Sequence, residues 1–238
     1  MDLMQIRRRL LMQESGTQPV VCPYITDGLV FWLDGIYKGN DSSKWTDLIG
    51  NRIFEYKDCT ITTDGVQFNG TTSYAASEGH IDVKATEGTI EAVYDVTNIN
   101  SAWHTILGQG VNSTDRTRIG MMIYPKAAGA ISAGAVVIDY RDSTLTRKKG
   151  AKTTGTTSVS ADTGVSNGMT LGNTSLSGLV SNGADYISIG ARKNSASEGR
   201  YFAGTIKCVR IYSRKLSQAE MVANQRIDNT RFNLGLSI

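Results

Sequence analysis

The stretch from Tyr201 to Gln225, YFAGTIKCVRIYSRKLSQAEMVANQ, constrains the fold more than any other part of the chain, because a β-strand there runs straight into a capped helix. Ser217 is followed three residues later by Glu220, the capping-box arrangement in which each side chain satisfies the other's backbone amide. Leu216 and Met221 sit at the positions of a hydrophobic staple, so the spacing predicts a helix starting at Ser217. Before it, Thr205 to Tyr212 is rich in Ile, Val, Cys and Tyr, which is strand chemistry, with Phe202, Ala203 and Gly204 leading in. A strand and a short C-terminal helix are therefore expected as the last elements.

Further strand signals recur along the body. Ile90, Ala92 and Tyr94 alternate with Thr89, Glu91 and Val93, and Ile119, Met121 and Ile123 alternate with Arg118, Gly120 and Met122. Val136 to Tyr140 and Tyr186 to Gly190 add two more, and the unbroken apolar run Val136 to Ile138 predicts burial on both faces. A length of 238 residues is enough for one large sandwich or barrel around a single core. The 25 glycines beside only 3 prolines, with Thr, Ser and Asn throughout, fit many short strands joined by turns and argue against a helix-rich class.

The pattern F-x-G-x-I-x-x-V-R-I-Y-x-R-x-L-S-x-x-E from Phe202 to Glu220 resembles the last strand and helix of laminin-G-like modules, in the concanavalin A-like lectin/glucanase superfamily. Gly28 to Asp34 looks like that family's opening strand, Trp45 to Asn51 like its next turn, and Phe68 to Tyr74 like its F-x-G-x-x-S-Y hairpin. The resemblance brackets Gly28 to roughly Asn224, with the middle matching only by strand pattern. It implies an all-β, antiparallel jelly-roll β-sandwich over residues 20–238, with Trp32 and Trp45 in the core. Residues 150–183 depart from it: 20 of these 34 residues are Gly, Ser or Thr, and only Lys152 and Asp162 are charged. So little apolar bulk predicts a long surface excursion or an edge hairpin.

Met1 to Gln13 reads as a short N-terminal helix, with Leu3, Ile6 and Leu10 in one stripe, Met4 and Leu11 flanking it, and Arg7 inside the arc. Glu14 to Pro19 reads as a linker. A helix this short is marginal alone, so it either packs on its own sandwich or docks elsewhere. The linker favours a separate anchor over residues 1–19, carried by Leu3, Ile6, Arg7, Leu10 and Leu11. The three arginines interrupt the apolar run that a secretory signal needs, and no run reaches membrane-spanning length, so neither a signal nor membrane insertion is expected.

A net charge of +3, scattered apart from Arg7 to Arg9 and Arg147 to Lys149, argues against a nucleic-acid partner. Cys22, Cys59 and Cys208 are odd in number and widely spaced, which fits small buried hydrophobes rather than a disulfide framework or a zinc site. The E-x-D-x-x-E strand of the superfamily's glucanases is missing, and the nearest carboxylates, Glu91 and Asp95, read as ordinary sheet surface. His80 and His104 are expected in surface loops, with no G-x-S-x-G serine to serve. No catalytic residue and no organic cofactor is expected. Calcium at the sandwich rim is implied by the resemblance alone, with no residues assigned to it. The sequons at Asn40, Asn69, Asn112 and Asn173 carry meaning only in a secreted protein.

Recognition of a sugar wants an aromatic ring with polar groups beside it. Trp103 and His104, in the polar loop from Asn98, form the first candidate pair, and Tyr140 with Arg141 the second; in each, folding back over the sandwich edge is the alternative. The opening M-x-x-x-x-I-R-R-R-L-L-M-Q looks like the start of some tail-associated proteins of gut phages. The resulting expectation is a non-enzymatic virion structural and attachment protein. It would be a trimeric or ring-shaped homo-oligomer, joined to other virion proteins through the N-terminal helix and facing host glycan or a neighbouring subunit. A bacterial surface or secreted carbohydrate-binding module is the alternative, and a glycoside hydrolase a third.

Overall fold

A computed structural model describes residues 20–38, 41, 43–79, 81, 89–97, 104–111, 116–123, 136–141, 147–151, 169–170, 184–193, 198–214 and 216–235. In chain order the strands are β1 (Leu29–Asp34), β2 (Lys44–Thr46), β3 (Ile53–Lys57), β4 (Thr60–Ile61), β5 (Val66–Asn69), β6 (Tyr74–Glu78), β7 (Thr89–Val96) and β8 (His104–Val111). They continue as β9 (Arg116–Ile123), β10 (Val136–Arg141), β11 (Arg147–Ala151), β12 (Met169–Thr170), β13 (Ala184–Ile189), β14 (Arg192–Lys193), β15 (Glu198–Gly199) and β16 (Ala203–Tyr212), before helix α1 (Gln218–Phe232).

One sheet runs β12-β7-β16-β5-β4, with β1 on the second half of β16 beyond β5. The other runs β11-β10-β9-β8-β13-β6-β3-β2, and the pairings in both are antiparallel. Phe31, Tyr94, Phe68 and Ile206 from the first sheet meet Trp45, Phe54, Leu107 and Ile187 from the second in one buried cluster, so the sheets pack face to face. Trp32 and Trp45 are both core, as the sequence indicates. Anchor residues Leu3, Ile6, Arg7, Leu10 and Leu11 lie outside the described residues, as does most of 150–183. The described parts of that segment, the end of β11 and β12, border different sheets and do not pair with each other.

The F-x-G-x-x-S-Y element corrects one expectation: it is a corner, not a hairpin. β5 pairs with β16 in one sheet while β6 pairs with β3 and β13 in the other. The turn between them is held by the Asn69 side chain, whose oxygen accepts the amides of Thr71, Thr72 and Ser73 at 2.9 to 3.1 Å. The motif glycines are steric requirements. At Gly70, with φ +80°, a Cβ would lie 2.8 Å from that of Ala203, and at Gly204, with φ +147°, a Cβ would lie 2.0 Å from the Asp95 carbonyl oxygen.

Helix α1 begins as the spacing predicts, with Ser217 and Glu220 forming a capping box and Leu216 and Met221 buried in one cluster. It lies over the outer face of the six-stranded sheet, together with residues from Val20 to Ile25. This face explains a second correction: Glu91 is completely buried rather than on the sheet surface. Trp32, Arg210 and Glu91 form one row across β1, β16 and β7. The Arg210 Nε donates to Glu91 Oε2 at 2.8 Å, and its two terminal nitrogens grip Asp228 of α1 at 2.7 and 2.6 Å. Asn224 of α1 donates to the same Glu91 oxygen and to the Tyr212 hydroxyl, and accepts the Ile25 amide. Near the end of the helix Arg231 binds Asp34 of β1 at 2.6 and 3.0 Å. The Tyr24 ring lies 3.8 Å from the Arg210 guanidinium.

Burial pulls the Arg210 pKa down, but Asp228, Cys208 and Glu91 outweigh it and hold it well above the usual guanidinium value. Glu91 is pushed up to about 6, because burial exceeds the pull of Arg210. Asp95, on the same strand, is half-buried and shares the Lys207 ammonium with Asp64. Arg210→Met strands two buried carboxylates and is expected to lose about 3–5 kcal/mol in urea unfolding. Ser217→Ala, which removes only the cap, is expected to lose about 1 kcal/mol in the same assay.

Candidate functional site

With α1 over one outer face of the sandwich, the outer face of the eight-stranded sheet holds the groove. Strand alternation decides what it displays. In β3, Phe54 enters the core and Ile53, Glu55 and Lys57 point away; in β6, Ala75 enters and Tyr74, Ala76 and Glu78 point away. In β13, Ile187 and Ile189 enter, leaving Tyr186 and Ser188 outside. The registers set these side chains in rows: Lys57 opposite Tyr74, Glu55 opposite Ala76 and then Ser188, and Glu78 opposite Tyr186. A small floor, Ala76, therefore lies diagonally between two tyrosines.

The result is a groove of about 490 Å³ lined by Tyr74, Ala76, Tyr186, Glu55, Glu78 and Lys193 among others, within the range of about 300–1,000 Å³ usual for small-molecule sites. Lys193 comes from the β14–β15 hairpin, which Ser188 ties down: its hydroxyl donates to the Ala191 carbonyl at 2.7 Å and accepts the Lys193 amide at 3.3 Å. The Lys193 ammonium lies 4.7 Å from the Tyr186 ring centroid and 5.4 Å from that of Tyr74. Beside it, Glu198 takes the Lys57 ammonium at 2.7 Å. Burial would raise the Glu198 carboxyl, but hydrogen bonds from Lys57, Tyr74 and Tyr201 hold it below the usual carboxylate range. Burial, reinforced by the bond to Glu198, pushes the Tyr74 hydroxyl up to about 12, so Tyr74 stays a neutral ring and donor. Such a surface offers two aromatic faces for the C–H face of a pyranose, with carboxylates to accept its hydroxyls. Among the described residues Glu55 and Glu78 have no ion-pair partner, so their oxygens are available for that purpose.

His104, Tyr140 and Arg141, singled out in the sequence, do not line this groove. Trp103 and His80 lie outside the described residues. His104 is not in a loop: it opens β8 opposite Ile123 and is completely buried. Its Nδ1 must carry the proton, since it faces the Tyr201 carbonyl at 2.8 Å. A polar neighbourhood in sequence suggested exposure; ladder pairing places the ring inside. Tyr140 and Arg141 end β10, opposite Lys148 and Arg147. Three strand spacings, roughly 14 Å, separate β10 from the groove strand β13. Tyr186 has a signal in the sequence, an aromatic side chain in phase with Ser188 and out of phase with Ile187 and Ile189, whereas Tyr74, in Tyr-Ala-Ala-Ser-Glu, has none.

Among the described residues no three His, Cys, Asp or Glu side chains converge on a point that could hold a metal, and no helix is long and apolar enough to cross a membrane. Burial holds the His104 pKa below its usual value. The unfolded chain then binds a proton that the folded one refuses, so this stability is complete above about pH 6.5 and is lost as pH falls. His104→Asn, which keeps a donor for the Tyr201 carbonyl, is expected to remove that part of the pH dependence between pH 7.5 and pH 5, measured by thermal unfolding.

No protein-family model and no curated protein matches the sequence. Solved structures do resemble it. A Trypanosoma rangeli sialidase in complex with sialic acid superposes with a TM-score of 0.56 at 16% identity, over 98% of this chain and 39% of the sialidase chain. The binding domain of Paraclostridial Mosquitocidal Protein 1 gives 0.54 at 17% identity, over 87% of this chain and 53% of its own. A mutant of HCR/D gives 0.52 at 13% identity, over 84% and 52%. The chain thus spans about two fifths of the sialidase and about half of the other two. At these identities the likeness shows fold alone, an all-β sandwich.

Proposed function

We propose that the chain is a non-enzymatic, lectin-like recognition module of concanavalin A-like jelly-roll type, which binds saccharide in the groove on the outer face of its eight-stranded sheet. The observation that carries this reading is the pair of rings, Tyr74 and Tyr186, set diagonally about the small Ala76 floor with Glu55 and Glu78 beside them. Rings, floor and acceptors are what stacking on a pyranose and fixing its hydroxyls require. The groove supersedes Trp103, His104, Tyr140 and Arg141 as the site to test first.

The wider setting we propose is a phage virion, where an N-terminal helix attaches the module to other virion proteins and to its own copies. The Leu3, Ile6, Leu10 stripe, the linker after it and the resemblance of Met1 to Gln13 to tail-associated proteins support this. Single lectin sites bind weakly, so an oligomer multiplies them into useful avidity.

Tyr74→Ala is expected to weaken binding of any saccharide found on a glycan array by about 1–3 kcal/mol, read by calorimetry. It should lower the Tm by no more than about 4 °C. Full binding by the variant would remove the groove from the account. Changing Leu3, Ile6 and Leu10 together to Ser should leave the sandwich folded and abolish oligomerisation, measured as mass by light scattering. An unchanged mass would contradict the anchor.

A further inference from the structure

The charges of the groove are unevenly satisfied, and that asymmetry points to a class of ligand. Lys57 is neutralised by Glu198 at 2.7 Å, and Lys44, one row neighbour beyond Glu55, by Asp41 at 3.1 Å. Lys193 is different. Its ammonium is cradled only by the Tyr186 and Tyr74 rings, at 4.7 and 5.4 Å, with no carboxylate within ion-pair distance among the described residues. Its backbone amide is tied to Ser188, and its side chain lines the groove.

Resting on the reading of the groove as a saccharide site, we infer that its preferred ligand is an acidic saccharide, a pyranose bearing a carboxylate or sulfate, whose anionic group pairs with Lys193. The pyranose stacks on the Tyr186 ring beside Lys193, the anion meets the ammonium, and remaining hydroxyls donate to Glu55 and Glu78. A charge-assisted bond to ammonium is about twice as strong as a neutral one. An anionic group is therefore favoured over a hydroxyl at that point by about tenfold in affinity. Glu55 on β3 and Glu78 at the end of β6 take the hydroxyl-donating part of the ligand. Recognition is thus polarised: anion towards the hairpin, hydroxyls towards β3 and the end of β6.

The test uses the full chain on an array of carboxylated, sulfated and neutral oligosaccharides. Calorimetry of the strongest binder and of its neutral counterpart then follows, with wild type, Lys193→Gln and Lys193→Arg. The expected result is acidic binders favoured about tenfold or more, a preference erased by Lys193→Gln and kept by Lys193→Arg. The carboxylated and sulfated arms show which anion the site takes. Neutral saccharides bound as tightly as acidic ones, or an acidic preference untouched by Lys193→Gln, would overturn the inference while leaving saccharide recognition standing. Binding of no saccharide by wild type would overturn both. An unchanged thermal unfolding curve for Lys193→Gln separates loss of contact from loss of fold.

Discussion

The buried guanidinium of Arg210 is the interaction on which the arrangement of this protein turns. Its side chain is 1% exposed, and it joins Glu91 of β7 to Asp228 of α1 through the middle of the six-stranded sheet. A charge this deep is tolerable only with every donor aimed at a partner, and bidentate contact with a carboxylate supplies that. The ion cluster is not by itself a source of large net stability, since desolvation offsets much of the attraction. What it supplies is position: α1 fits over β16 in one register, because any slide would leave Asp228 buried without a cation and would take Asn224 off Glu91.

From that constraint the two outer faces take different fates. Over one, the Arg210 cluster, the Asp34–Arg231 pair and the apolar contacts of Tyr24, Trp32, Met221 and Phe232 seat the helix. The other keeps a groove with aromatic, acidic and basic side chains at its surface. Its rings stand on strands rather than on loops, and the Lys193 amide is tied to the Ser188 hydroxyl. A site built on strands changes shape little on binding, which favours selectivity over adaptability.

Local signals were legible in the sequence because local chemistry decides them. The capping box needs only Ser217 and Glu220, and the phase of β7 follows from Ile90, Ala92 and Tyr94. Long-range facts were hidden. Glu91 looked like surface because Arg210 lies 119 residues away. The buried stripe of α1 includes Asn224, Gln225 and Asp228, so it lacks the apolar periodicity by which a packed face is recognised. The turn after Phe68 was read as a hairpin because a pattern of residues does not say which sheet each arm joins; Asn69 and the pairing of β6 with β13 decide that. His104 shows the same limit, since polarity nearby outweighed a ladder position that only the partner strand reveals. The groove was missed because its residues come from strands far apart in sequence, and Tyr74 sits in a short strand without alternation.

The central claim is that ligands are recognised on the open face of the eight-stranded sheet and not at the sandwich rim. Amide chemical-shift mapping of the full chain, titrated with a mixed pool of soluble oligosaccharides, tests it most directly. The account predicts perturbations clustered on Glu55, Tyr74, Ala76, Tyr186 and Lys193, with β16 and α1 silent. Perturbations confined to the loops joining the sheets, with that cluster unmoved, would contradict it.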